Sequence, residues 1–567
     1  MAFQTSVSIT YKDLFDDYDE VKIEDLLQDI PSKNSIQIMG YFIAQLHTLE
    51  RDPTIQIEFF KMWIGRFPSQ VIDGVKKFIN KIESNPTAEY NFLNNTSLLI
   101  LTQNILINHN DKNELENLSD DQELNFFKAY LFCSQKWIDE QNQGFKKKDG
   151  KNETDLIKML LPTQLPYQEI FETKDFRIQF IKAVYFFEFC ENNNQFKEYL
   201  DIFLKEYKLK SWKEYLSHLL ELYIRKFERL NTPSIFRFEN ESEDQEKRNF
   251  LENLVIQPEG YSPSKDFLNL RNKPVYKLNE NDYVFLNLNF LVDKIYQGIQ
   301  FEFARILVKN KAKYKDKIIK SPIDFIGIFG NEFSENGLFY SVMDYAFDKN
   351  NYKRLTGEQL KDFLKDGEPD YYIRDKGKIY VFEYKNVFLG AKTKHSYDYD
   401  EIKKEIFKKL VKNEKKSPKG VTQLVEVIEK IKKGDFNKFD DFNSENIVIY
   451  PIIVYVDFSF NLAGINYILN NELRKQVEEK KFKNLHKIKD LTMIDLDSFI
   501  KFQDLFRNKK LKINNCLNTY FEYKRDYRDA TKRISTFNMF IHHKTDKMEY
   551  ESPEMLMDKL KEVLELE

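Results

Sequence analysis

Two carboxylates and one ammonium group, those of Asp370, Glu383 and Lys385, stand close together in the sequence. The chain around them runs apolar, then polar at 375–378, then apolar again, which is typical of a two-stranded hairpin. Because side chains alternate between the faces of a strand, Glu383 and Lys385 share one face of the second strand. The hairpin can fold Asp370 back beside Glu383. These groups on a buried strand pair predict a site for a hard divalent cation and a polarised water.

The order Pro369-Asp370 followed by Glu383-Tyr384-Lys385 resembles the motif of the PD-(D/E)xK nuclease superfamily, which has the restriction-endonuclease-like fold. The resemblance covers roughly residues 320–500, and the helical first half of the chain resembles no family. It implies a Mg²⁺ or Mn²⁺ ion held by Asp370, Glu383 and the backbone carbonyl of Tyr384. It also implies that Lys385 holds the attacking water and screens the charge that develops on phosphorus.

Two further catalytic residues are assigned through the same resemblance. Family members often carry a glutamate on the helix before the hairpin, and Glu335 suits this position, with Glu332 as the alternative. Glu335 would reach the metal ion directly or through a water. A glutamine on the helix after the catalytic strand recurs in related nucleases, and Gln423 has that position. It would orient a phosphate or the nucleophilic water.

The motif letters alone are weak evidence, because acidic-x-Lys triplets are frequent in a chain with 31% charged residues. Phe521-Glu522-Tyr523-Lys524 repeats the same four letters as 382–385, and the stretch 206–208 repeats three of them. Both repeats lie in helix-like, polar surroundings without a preceding Pro-Asp. The apolar strand context therefore favours the copy at 382–385. The alternative is a structural strand with an ion pair at the surface.

Composition narrows the class of protein. A hydrophobic fraction of 42% in 567 residues excludes a generally disordered chain, and a net charge of −4 gives no overall sign of a polyanion partner. The three cysteines lie far apart, which excludes a disulfide framework and a cysteine-based zinc site. The first residues show no basic segment followed by an apolar run, so no secretion signal is expected, and the longest apolar runs are too short to span a bilayer. We therefore expect a cytoplasmic protein without membrane contact.

A chain of 567 residues is long for one domain, so a multidomain protein is expected. Residues 1–240 show apolar side chains at three-and-four spacing and are expected to form an all-helical domain for recognition, regulation or assembly. A connecting α+β segment at 241–320 follows, joined through the polar linker Asn240–Arg248. Residues 321–567 are expected to form the α/β nuclease-like domain, a mixed central sheet flanked by helices and followed by C-terminal helices. In its buried strand Ile447–Phe458, Pro451 predicts a bulge or a break.

The leading hypothesis is a metal-dependent nuclease, with DNA favoured over RNA as the substrate. One alternative is an interaction or regulatory protein with an inactive or partner-activated nuclease-like core, using the helical half for a protein partner or self-association. A second alternative is a sequence-specific restriction endonuclease. A role in bacterial anti-phage defence rests on analogy of architecture alone. Of the lysines in Lys309–Lys320 and 403–419, most are expected to be solvated and only those nearest the site to contact phosphate.

Overall fold

The structure is a computed structural model that describes residues 5–48, 60–84, 88–144, 152–171, 174–228, 235–238, 245–364, 366–526, 528–546, 548, 550 and 552–565. By their contacts, these residues form two compact units. The first unit lies within Met1–Gln143, Ile170–Phe180 and Glu198–Asn310, and the second within Gly144–Glu169, Ile181–Lys197 and Lys311–Glu567. This division follows contacts and not chain order, so it differs from the three consecutive segments expected. The expected linker lies partly outside the described residues, and its last four residues begin the helix Gln245–Glu252.

The first unit is mainly helical. Its helices include Ile23–Leu27, Ser32–Thr48, Ser69–Glu83, Asn95–Ile107, Asp120–Gly144, Trp212–Glu228, Gln245–Glu252, Leu268–Asn272, Leu288–Asp293 and Ile299–Lys309. Three more helices contribute residues to both units, Gln168–Phe171, Phe176–Asn192 and Asn194–Tyr207, and the last residue of Asp120–Gly144 also belongs to the second unit.

Short strands interrupt the region 1–240 that was expected to be all-helical, and they belong to two small sheets, the second of which is completed by strands of the expected α+β segment 241–320. β1 (Thr5–Ser8) and β2 (Ala88–Asn91) pair in parallel. β3 (Ile235–Arg237), β4 (Val275–Lys277) and β5 (Asp282–Phe285) form an antiparallel sheet in the order β3-β5-β4. Strands of three or four residues are too short to show an alternating pattern, which is why β1, β2 and β3 were not predicted.

The second unit is built around a mixed five-stranded sheet. Its strands are β8 (Lys353–Thr356), β9 (Tyr371–Asp375), β10 (Lys378–Lys385), β11 (Val448–Tyr455) and β12 (Thr492–Asp495), in the order β12-β11-β10-β9-β8. β10 is antiparallel to β9 and parallel to β11, which is parallel to β12. A separate hairpin pairs β6 (Lys313–Tyr314) with β7 (Lys317–Ile318).

Helices flank this sheet, as expected for an α/β core. The helices of the second unit include Glu153–Gln164, Pro322–Phe329, Tyr340–Ala346, Gly357–Lys361, Ala391–Lys394, Tyr399–Leu410, Gly420–Lys433, Ile465–Glu479, Leu496–Lys501, Gln503–Arg507, Ile513–Lys524, Ala530–Ile534, Phe537–Thr545 and Met555–Leu564. Within the described ranges, no helix combines the length and the apolar character needed to cross a membrane.

Two details of the sheet differ from the expectations. β8, with the sequence KRLT, was not predicted, because it is an edge strand of four residues with two cations. No bulge or break interrupts β11 on its β10 side, where Pro451 pairs in register with Val381. On the other side an isolated bridge joins Ile449 to Ile488, and the register has shifted by one residue where pairing with β12 begins at Ile452, so the irregularity expected at Pro451 occurs on that side only. Pro451 therefore lies where the strand has a ladder partner on one side only, which tolerates a missing N–H donor.

We expect Gly464→Ala to destabilise the second unit by about 3 kcal/mol. Gly464 has a φ of +96°, and a Cβ there would lie 2.5 Å from Cγ1 of Ile157. The left-handed backbone and the overpacking each cost about 1–2 kcal/mol or more. Chemical denaturation followed by circular dichroism measures the loss. The control is Gly260→Ala, because Gly260 has a φ of +69° with no atom within 4 Å of the added Cβ; an equal loss in both variants would contradict the clash.

Candidate active site

The register of the β9–β10 hairpin places Asp370 opposite Glu383. Tyr371 pairs with Phe382, so the next residues outward, Asp370 and Glu383, face each other just beyond the paired ladder. Residues opposite each other on neighbouring strands project to the same face of a sheet. Lys385 lies two residues farther along β10 and therefore shares that face. The structure thus brings together the three residues that the sequence singled out first.

Lys385 connects the two carboxylates. Its Nζ donates a hydrogen bond to Oε2 of Glu383 at 2.8 Å and lies 3.8 Å from Oδ2 of Asp370. Oδ2 of Asp370 also accepts a hydrogen bond from the backbone N–H of Tyr384 at 2.6 Å. The Glu383 side chain is fully buried, whereas the side chains of Lys385 and Asp370 are 13% and 21% exposed. A ligand can therefore reach the cluster from solvent at Asp370.

Glu335 lies on a π-helical segment, Gly330–Phe339, that is tied to β10. Oε1 of Glu335 accepts a hydrogen bond from the Tyr340 hydroxyl at 3.1 Å. The neighbouring Ser334 shares a 2.5 Å hydrogen bond with the Tyr384 hydroxyl, and the Phe339 ring stacks on the Tyr384 ring at 4.6 Å. π-Helical turns occur frequently at functional sites. Here the turn places Glu335 close enough to Asp370 that the Asp370 carboxylate adds to the effect of burial in raising the pKa of Glu335.

Glu332, the alternative to Glu335, has other partners. Its carboxylate accepts a hydrogen bond from the Tyr314 hydroxyl and lies 3.7 Å from Nζ of Lys315. Both partners belong to the β6–β7 hairpin. Glu335 is therefore the better candidate for the site.

The acids of the cluster resist ionisation. Burial and the nearby Asp370 carboxylate raise the pKa of Glu383 to about 8 and that of Glu335 to about 7. Burial likewise raises the pKa of Asp370. For Lys385, burial opposes the charged form, but Glu383 and Asp370 outweigh it and raise its pKa, so the ammonium stays charged. A cluster in which carboxylates repel each other is stabilised by additional positive charge.

Gln423 lies on the helix that covers the same face of the sheet. At the start of helix Gly420–Lys433, a Cβ on Gly420 would lie 3.3 Å from Cδ1 of Ile453. Ile453 pairs in register with Glu383 and so shares its face. Gln423 follows three residues after Gly420, and its buried Oε1 has no hydrogen-bond partner. Gln423 thus belongs to a helix that covers the face of Glu383, but no hydrogen bond joins its side chain to Asp370, Glu383 or Lys385.

The donor set fits a Mg²⁺ or Mn²⁺ ion that keeps several water ligands. In the part of the chain that the structure describes, no group of three or more Asp, Glu, His or Cys side chains could hold a metal ion. Glu335 is therefore not a third direct ligand in this conformation, and it could contact the ion only through a water molecule. Asp370 and Glu383 are the two carboxylates that could bind the ion directly. Oε1 of Glu383 is buried without a hydrogen-bond partner. Two carboxylates with water suit Mg²⁺, which resists full dehydration.

The two sequence repeats of the motif lie on helices. Glu522 and Lys524 are at the end of helix Ile513–Lys524, and Glu206 is at the end of helix Asn194–Tyr207. The letters FEYK therefore do not specify the site. The residues that sequence reasoning missed are Ser334 and Tyr340, which hold Glu335 in place. Their contacts form because residues 330–339 adopt a π-helical turn, and no spacing of residue types in the sequence predicts such a turn.

The stability of the metal-free protein should fall as the pH rises from about 4.5 to about 8. The folded protein keeps protons on Glu335 and Glu383, with pKa values of about 7 and about 8, which the unfolded chain releases near 4.5. Because the unfolded state then binds fewer protons, the free energy of unfolding decreases with pH across this window. Urea unfolding in chelator at several pH values measures the slope. Glu383→Gln should flatten it, and an unchanged slope in that variant would contradict the assignment.

No protein-family model, no curated protein and no solved structure matches the chain.

Proposed function

We propose that the second unit is a metal-dependent nuclease that hydrolyses phosphodiester bonds, with DNA favoured over RNA as its substrate. The observation that carries this proposal is the convergence of Asp370, Glu383 and Lys385 at the end of β10, where Lys385 lies 2.8 Å from one carboxylate and 3.8 Å from the other. The five-stranded mixed sheet flanked by helices is compatible with a restriction-endonuclease-like fold.

Asp370, Glu383 and the backbone carbonyl of Tyr384 would hold the Mg²⁺ or Mn²⁺ ion. When bound, the ion supplies a Lewis acid for the phosphate and lowers the pKa of a coordinated water. The chain contributes the oxygen ligands, one of which, Oε1 of Glu383, has no other hydrogen-bond partner. The backbone N–H of Tyr384 orients the Asp370 carboxylate through its 2.6 Å hydrogen bond.

Lys385 supplies the fixed positive charge of the proposed site. Its raised pKa keeps the ammonium protonated, and two carboxylates hold it in position. A charge held in this way can bind the attacking water and stabilise negative charge on the phosphoryl oxygens without reorganising. Glu335 would act through a water, and Gln423 would orient a phosphate from the helix above the same face.

The test is a panel of substrates incubated with the purified full chain. Supercoiled plasmid, linear duplex DNA, single-stranded DNA and RNA are each combined with Mg²⁺, Mn²⁺ or chelator. We expect cleavage of DNA with either metal ion and none with chelator. Discrete fragments from a defined plasmid would identify a sequence-specific restriction endonuclease, whereas random nicking or degradation from ends would exclude one.

A second measurement separates the nuclease from an inactive core. Isothermal titration calorimetry with Mn²⁺ reports metal binding independently of cleavage. Absence of both metal binding and cleavage would overturn the proposal in favour of an interaction or regulatory protein. Metal binding without cleavage would indicate a core that needs a partner for activation.

A further inference from the structure

A basic hairpin precedes helix Pro322–Phe329, which continues into the π-helical segment that carries Glu335. The stretch Lys311–Lys320, here called the lysine hairpin, contains five lysines and one aspartate around strands β6 and β7. Its turn is tight, with positive φ angles at Lys315 and Asp316. All five lysine side chains are exposed. The hairpin therefore presents a compact group of positive charges to solvent.

The lysine hairpin is anchored next to the proposed active site. The hydroxyl of Tyr314, on β6, donates a hydrogen bond to Glu332, and Nζ of Lys315 lies 3.7 Å from the same carboxylate. Glu332 precedes Glu335 by three residues on the π-helical segment Gly330–Phe339. The hairpin thus contacts a residue that lies less than one helical turn from Glu335.

The charge of the hairpin is only partly neutralised. Lys311, Lys317 and Lys320 form no ion pair with any residue that the structure describes. By contrast, Lys408 in the second lysine-rich stretch lies 2.8 Å from Glu414, and Lys409 lies 3.4 Å from Glu405. Three lysines of the hairpin are therefore available to a polyanion. Lys408 and Lys409, by contrast, already pair with nearby glutamates.

Apolar side chains are exposed beside these lysines. Ile318, on β7, is 49% exposed, and Ile323, in the first turn of the following helix, is 78% exposed. Exposed apolar groups among cations suit a ligand that alternates charged and less polar groups. A sugar–phosphate backbone has this character, with one negative charge at each phosphate.

We propose that the lysine hairpin binds the phosphodiester backbone of the substrate and leads it towards Asp370, Glu383 and Lys385. Lys311, Lys317 and Lys320 are the phosphate contacts. This inference rests on the proposed nuclease function and adds to it the element that holds the nucleic acid. Because phosphate contacts carry no sequence information, the hairpin would contribute affinity and position and no sequence preference.

The experiment measures binding without cleavage. In an Asp370→Asn background, anisotropy of labelled duplex DNA is recorded over a series of NaCl concentrations. The combined Lys311→Gln, Lys317→Gln and Lys320→Gln changes should reduce the slope of log affinity against log salt by about 3, about one for each lysine, and weaken binding at low salt about tenfold or more. Duplex RNA and single-stranded DNA are parallel arms, and a similar loss on all three would show backbone contact.

A charge-matched control uses three other exposed lysines of the second unit. Lys509, Lys510 and Lys512 precede helix Ile513–Lys524, and they also form no ion pair with a described residue. Their substitution by Gln should leave the slope unchanged, and circular dichroism checks that both triple variants are folded. Equal effects of the two triple variants would overturn the inference, as would a parent protein that binds no nucleic acid.

The outcome for the hairpin is distinguishable from the outcome for the nuclease. Cleavage by the full chain, with binding that is indifferent to the hairpin lysines, overturns the inference and leaves the nuclease proposal intact. Binding that depends on the hairpin lysines, without cleavage or metal binding, overturns the nuclease proposal and with it the delivery of substrate to Asp370, Glu383 and Lys385, and supports only the phosphate contacts of the hairpin.

Discussion

Lys385→Met should reduce metal-dependent phosphodiester cleavage by about a hundredfold to a thousandfold, the usual loss when a fixed transition-state charge is removed. Methionine retains most of the buried volume but cannot hold a water or stabilise charge on phosphorus. Cleavage of plasmid and linear DNA under single-turnover conditions measures the loss. Because Lys385 also lies beside two carboxylates, the variant's thermal unfolding is measured in parallel, and Lys385→Arg is tested as a variant that retains the charge.

The chain supplies a matched control for this prediction. Lys524 follows the same letters Phe-Glu-Tyr as Lys385 but lies at the end of a helix. Burial lowers the pKa of Lys524 to about 8, so Lys524→Met removes a charge that its surroundings disfavour. We expect Lys524→Met to cleave as well as the natural sequence. Equal losses in Lys385→Met and Lys524→Met, or full activity in Lys385→Met, would contradict the site.

Asp370→Asn should weaken Mg²⁺ or Mn²⁺ binding by about a hundredfold, which corresponds to about 3 kcal/mol. The amide keeps an oxygen that can accept the Tyr384 N–H but loses the negative charge that a hard cation requires. The measurement is calorimetric titration with Mn²⁺, together with the upward shift of the melting temperature on adding Mg²⁺. Cleavage should be lost in the same variant.

The metal-free Asp370→Asn protein should remain folded and be no less stable at pH 8. Asp370 raises the pKa values of Glu383 and Glu335, so removing its charge relieves repulsion among buried acids. Asp375→Asn is the control, because Asp375 lies at the turn end of the same strand, β9. If Asp375→Asn lost as much metal affinity as Asp370→Asn, Asp370 would not be a ligand. Normal metal binding by Asp370→Asn would likewise show that Asp370 is not a ligand of the metal ion.

The central pair of the site depends on local sequence. Asp370 and Glu383 are thirteen positions apart, and a hairpin with a short polar turn brings such positions opposite each other. Period-two alternation then puts Lys385 on the face of Glu383. Turn chemistry and alternation act over a few residues, so the sequence suffices to predict them. The same reasoning rejected the FEYK copy at 521–524, which is helical.

Tertiary contacts decided what lies around this pair. Whether Glu335 or Glu332 belongs to the site depends on the π turn that carries them both. It also depends on their hydrogen-bond donors, which are Tyr340 for Glu335 and Tyr314 for Glu332. On which side of β11 the ladder is irregular at Pro451 depends on the strands that pair with it. Spacing along the chain carries no information on such partners, because each is selected by packing between elements.

The sequence by itself determined the hairpin, the shared face of Glu383 and Lys385, and the succession of a helical region and an α/β region. Only the tertiary structure decided the strand order of the sheet, the two contact-based units and the fully buried position of Glu383. The physical reason is the range of the forces involved. Backbone preferences and alternation act between near neighbours, whereas burial and strand order depend on contacts between residues far apart in the chain, such as Gly464 with Ile157.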